Sequence, residues 1–121
     1  MFRLTVTNRF KWPVTVRKPS ETTSGEVEEQ SFVGLFRVLP RSEAVALAEE
    51  MRAADTVEKI SAAEMGQIAA VLEGWEDVVD EVGCPLAFAP AILLEACEWA
   101  WFRDAVVKAY LDGVGGARLG N

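Results

Sequence analysis

The chain has 121 residues, half of them apolar and 26% charged, with a net charge of −7 and no histidine. A single domain with a real core is expected, because a chain of this size buries roughly two thirds of its unfolded surface and neither disorder nor a fibre is indicated. No apolar run approaches the roughly 18 residues of a membrane span, and without histidine the commonest general base and metal ligand is missing, as is every Ser-His or Cys-His pair.

From the start of the chain, Phe2, Leu4 and Val6 alternate with Arg3, Thr5 and Thr7, the period of a half-buried strand. Asn8 and Arg9 suit a turn. A second strand is predicted over 10–17, with Pro13 confining it to a sheet edge and Trp12 beside that proline. The polar stretch 19–25 reads as a surface loop, and 26–38 resumes extended character. These segments predict an antiparallel sheet of two to four strands. Within residues 1–20, Arg3, Arg9, Lys11, Arg17 and Lys18 fall without an acid, while the other seven bases of the chain face all 19 acids. The basic strands are therefore expected to lie beside acidic helices and neutralise them in part, and nucleic acid is not an expected partner. The first residues lack the apolar stretch and cleavage site of a signal peptide, which makes the cytoplasm the expected location.

Pro40 closes the sheet region. Ser42 is a suitable N-cap for a helix through Val45, Leu47, Ala48 and Met51. A second helix is predicted from Ser61, where Glu64 completes a capping box, through Met65, Ile68, Ala69 and Leu72. Gly74 can take a positive φ and end that helix, and Trp75 is large enough to plug the junction with the next, so the pair is expected to form a structural joint. The loop that follows holds Glu76, Asp77, Asp80 and Glu81 around a tight turn or short hairpin. Val79 supplies no oxygen where a calcium loop needs one, so the acids read as solvated and no metal or cofactor is expected.

Pro90 fits the first turn of a last helical region that runs to Asp112, with a bend near Glu98. Leu93 or Leu94, Cys97, Trp99, Phe102, Val106 and Tyr110 recur at helical spacing and are expected to face inward. Cys84 and Cys97 are expected to be free thiols. The predicted class is α+β: one domain over 1–121, with a β-rich part (1–39), three to four helices (41–112) and a glycine-rich tail (113–121) that holds no fixed shape.

Trp101 has Leu94, Glu98, Ala105 and Lys108 as helical neighbours, a mixed and largely polar face. It reads either as an exposed anchor for a protein partner or as a side chain buried beneath the N-terminal sheet. Trp12 is a second anchor candidate, since an edge strand can pair with another copy to make a homo-oligomer. Trp12, Trp101 and Lys108 are thus the candidate partner-binding residues. No catalytic residue is expected.

Three segments carry a family resemblance: WPVTVRKP followed by QSFVGLFRVLPRSE, the Gly74-Trp75 junction with DEVGCPLAF, and the terminal VVKAYLDGVGG. In their order and spacing, from about Trp12 to Gly116, the chain resembles the tail assembly chaperones of long-tailed bacteriophages and prophages. It departs from the family at Ala89, where a capping serine or threonine is usual, and in the aromatic run Glu98-Trp99-Ala100-Trp101. The resemblance implies a non-catalytic protein in the host cytoplasm that keeps the tape measure protein soluble until the tail tube polymerises, with the tube protein as a further partner. The alternative it leaves is a structural tail or head-tail connector component that stays in the particle.

Overall fold

A computed structural model describes residues 1–118. The order is β1 (Arg9–Pro19), β2 (Val27–Arg37), α1 (Arg41–Ala53), α2 (Val57–Val71), β3 (Leu72–Glu76), α3 (Pro90–Ala96) and α4 (Ala100–Arg118). The fold is α+β, a three-stranded antiparallel sheet in the order β1-β2-β3 with four helices.

β1 and β2 form a long hairpin in unbroken register from Arg9 opposite Arg37 to Pro19 opposite Val27. The 20–26 loop is tied by the Ser20 hydroxyl, which accepts from the Thr22 and Thr23 amides, and Gly25 takes a positive φ of 78°. Period-two alternation puts Phe10, Trp12, Val14 and Val16 on one face of the hairpin opposite Phe36, Gly34, Phe32 and Gln30. α4 lies along that inner face. Val14, Phe36 and Val106 are almost completely buried where the two meet, and Phe10 stacks on Phe36 with 5.3 Å between ring centroids.

The third strand is not the one the alternation predicts. Residues 2–7 form no strand, and Phe2, Leu4 and Val6 are exposed. The ladder place goes instead to β3, which follows α2 directly and pairs with β2 through a bulge at Leu35/Phe36. Gly74 is therefore a strand residue rather than a helix stop, and its φ is not positive. Its lack of a side chain serves packing, since a Cβ there would sit 2.9 Å from Leu35 Cδ1. Trp75, expected to plug a junction between helices, lies in β3. It is buried, donates its indole N–H to Leu86 O at 2.8 Å, and meets Phe88 edge-on at 4.9 Å.

Local signals placed the helix starts a few residues off. α1 begins at Arg41 after Pro40 with no side-chain cap, and α2 begins four residues before Ser61, capped by Thr56, whose hydroxyl accepts from the Lys59 amide at 3.1 Å. Pro90 does open α3. The expected bend near Glu98 is a full break, with a turn at Cys97–Trp99 separating α3 from α4.

Residues 113–118 of the predicted tail continue α4; 119–121 lie outside the described residues. Two of the glycines there, Gly113 and Gly116, are contact residues. A Cβ on Gly113 would lie 2.3 Å from Phe10 Cε2, and one on Gly116 3.4 Å from the Trp12 ring. Absent side chains let the helix settle against β1, which offsets the roughly 1 kcal/mol of helix propensity each glycine costs.

The expected neutralisation is made largely within the sheet. Arg9 and Lys11 reach across β2 to Glu73 (3.1 Å) and Glu76 (2.9 Å) of β3, and among the described residues the one strand base that pairs with a helix is Arg37, through Glu43 at 2.5 Å. Among the described residues no helix is long and apolar enough to cross a membrane.

Candidate partner-binding groove

The hairpin is longer than the helices that cover it, so its far half leaves an open groove between Val16, Lys18 and Gln30 on one side and α3 with the 77–86 loop on the other. The floor is aromatic. Phe32 stacks on Phe102 (5.8 Å, 8° between planes), and Trp75 meets both rings edge-on at 6.1 and 6.5 Å. These rings come from β2, β3 and α4, so the floor is fixed by the core itself. The groove encloses about 580 Å³, with Lys18, Asp77 and Glu95 among its polar lining residues.

Trp99 and Trp101 stand along one wall. Their rings are parallel, 5.4 Å apart with 5° between planes. Residues two apart do not face each other on a helix, so the stack requires one of the two to lie outside it. Trp99 does. Its carbonyl accepts from the Phe102 and Arg103 amides, which makes it the residue on which α4 starts. Arg103 in turn donates to Cys97 O at 2.6 Å and holds the turn closed behind it.

This geometry corrects the inward assignment of Trp99, which is 55% exposed. Cys97 and Val106 are buried as expected and Phe102 and Tyr110 half-buried, but the turn resets the helical phase at Trp99. Trp101 falls between its two readings. It is half-buried and lines the groove with Val16 and Lys18.

Trp12 and Lys108 do not join it. Trp12 lies on the inner face near Gly116 and edge-on to Phe10 at 6.3 Å, so α4 covers its ring. Lys108 pairs with Asp112 at 2.5 Å beside a separate depression formed with Met51, Ile68 and Leu111. Val16, Phe32 and Phe102, which complete the groove, carry no individual mark in the sequence; a full break at Glu98 is the signal from which the Trp99 position follows.

The acidic loop is a small structural hairpin. Val79 bridges Pro85, Gly83 takes a φ of 89°, and the Asp80 carboxylate accepts from the Val82 and Cys84 amides at 3.0 and 2.9 Å. Glu76 is engaged by Lys11. Among the described residues no three His, Cys, Asp or Glu side chains are grouped to hold a metal ion.

No family model, curated protein or solved structure matches the chain. What the groove offers is therefore read from its own chemistry: a preformed aromatic floor, an exposed indole held in place by a second one, and charged residues around them. That arrangement suits an apolar side-chain stripe of another protein, with aromatic anchors that lose little entropy on contact.

Proposed function

We propose that the chain is a non-catalytic tail assembly chaperone that holds an apolar stripe of the helical tape measure protein in the Trp99–Trp101 groove until the tail tube forms around it. The observation that carries this reading is the exposed Trp99, stacked on Trp101 beside an open aromatic floor. An indole held in water by a parallel neighbour has already lost most of its rotamer freedom, so a partner that covers it gains apolar burial at small entropic cost. The groove is open along its length, which suits an extended amphipathic helix docked through residues at helical spacing. The charge of −7 supports the role by keeping a complex with exposed apolar surface dispersed.

The test is co-expression with a phage tape measure protein. The expected result is soluble partner with the native chain and precipitated partner with Trp99→Ala. Equal solubility with and without the native chain rejects the reading. Mass spectrometry of finished particles distinguishes the alternative, because a component that stays in the tail is retained there and a chaperone is released.

A further inference from the structure

The N-terminal segment 1–7 is an alternating strand sequence without a strand partner. Phe2, Leu4 and Val6 are 84%, 86% and 99% exposed. The segment continues from β1, because Asn8 O accepts from the Val38 amide at 2.8 Å and so extends the β1–β2 ladder by one more bond. Beyond Asn8 the segment has nothing to pair with among the described residues, since β2 ends at Arg37 and Pro40 turns the chain away.

The sheet has two free edges, and they differ in chemistry. The β1 edge carries Arg9, Lys11, Arg17 and Lys18 and is interrupted by Pro13, which has no N–H to donate. The β3 edge has no proline, and its two acids are already engaged, Glu73 by Arg9 and Arg37 and Glu76 by Lys11. Among the described residues no backbone group of Glu73–Glu76 bonds to anything beyond β2. β3 spans five residues, as does the segment from Phe2 to Val6. The only charged side chain of that segment is Arg3, which has the same sign as Arg17 and Lys18 of the β1 edge, so the proline-free β3 edge is favoured.

The segment does not reach that edge in its own molecule. A strand added beside β3 lies three strand spacings from β1, about 14 Å. Asn8 is fixed at β1, and crossing that distance at about 3.5 Å per residue consumes about four residues, leaving no alternating segment to pair. Each copy thus carries a donor strand it cannot use and an acceptor edge it leaves open.

We infer that two copies of this chain exchange N-terminal segments, Phe2–Val6 of each adding antiparallel to β3 of the other. Phe2, Leu4 and Val6 then fall on the side to which β3 turns Leu72 and Trp75. The exchange is reciprocal, so it closes as a two-fold dimer and does not grow into a fibre. It uses main-chain bonds for affinity and the alternating side chains for register. The inference is independent of the groove.

Light scattering after size exclusion tests it on the full chain. The expected result is a dimer at about 100 µM that dissociates at least tenfold more readily as Leu4→Asp, a change at an exposed position that leaves the fold intact by circular dichroism. A native chain that is monomeric at that concentration, or a dimer that Leu4→Asp leaves unchanged, overturns the inference. Hydrogen exchange locates the contact: the Glu73–Glu76 amides that face away from β2 are expected to be protected in the native dimer and to exchange fast in Leu4→Asp. Equal exchange in the two overturns the assignment to β3, including the case in which two N-terminal segments pair with each other.

Discussion

The backbone N–H of Leu39 donates to the Tyr110 hydroxyl at 3.0 Å. Leu39 follows β2 and Tyr110 lies in α4, so this one bond joins the exit of the sheet to the helix that covers it. Tyr110 also lies 6.1 Å from Phe36 and 6.2 Å from Phe10. Tyr110→Phe keeps the ring and removes the acceptor from a half-buried amide, and it is expected to cost about 1 kcal/mol. Urea unfolding reads this as a lower midpoint at unchanged slope.

Two glycine-to-alanine changes are expected to have opposite signs. At Gly66, inside α2, an added Cβ meets nothing within 4 Å, and Gly66→Ala is expected to stabilise by about 0.5–1 kcal/mol. At Gly113 the Cβ meets the Phe10 ring, and Gly113→Ala is expected to destabilise by about 1–3 kcal/mol as the helix is pushed off β1. Thermal melts of the two variants decide it; a rise in both would show that α4 does not need the close approach.

The stacked indoles are expected to separate stability from binding. Trp99 is mostly exposed, so Trp99→Ala changes folding stability by no more than about 0.5–1 kcal/mol. Trp101 is half-buried and lines the groove with Val16 and Phe102, and Trp101→Ala costs more, about 1–2 kcal/mol. Denaturant titration gives both values, and equal losses would contradict the difference in burial.

The two free cysteines are expected to react in sequence. Cys84 is exposed and Cys97 is buried, and burial pushes the Cys97 thiol above its ordinary value of 9.0, with Arg103 pulling weakly the other way. A thiol reagent should label Cys84 alone in the native protein and Cys97 only on unfolding. Because the folded pKa lies above the unfolded one, the folded state holds more protons between them, so this contribution is complete below 9.0 and is lost as pH rises through the folded value. Cys97→Ala should flatten the alkaline decline; an unchanged slope would assign it to other groups.

In the acidic hairpin only one carboxylate has a structural task that a substitution will expose. Asp80→Ala strands the Val82 and Cys84 amides and is expected to cost about 1–2 kcal/mol. Glu81→Gln changes no bond and should be neutral. Equal effects in chemical denaturation would mean that the loop depends on net charge and not on the Asp80 turn.

Where neighbours in sequence decide the structure, the sequence was readable. The β1–β2 hairpin follows from alternation and a polar turn, α3 from Pro90, and the acidic hairpin from its glycine and proline. Pairing across the chain was not readable. Phe2–Val6 alternates as well as β1 does, but no β2 residue remains to pair with it, and β3 is a strand because β2 offers it a ladder. Glycines 113 and 116 looked like disorder because their use lies in Phe10 and Trp12, a hundred residues away. The polar neighbours of Trp101 leave it between an exposed anchor and a buried side chain, whereas the helical phase carries Trp99 inward until the Cys97–Trp99 turn interrupts it.

The closeness of α4 to β1 has a consequence for synthesis. β1 leaves the ribosome well before α4, so the inner face of the hairpin, with Phe10, Trp12, Val14 and Phe36, stays wet until α4 has followed it. Contacts at such sequence separation form late and slowly. A nascent chain halted before α4 would expose an aromatic sheet face to whatever protein is nearest.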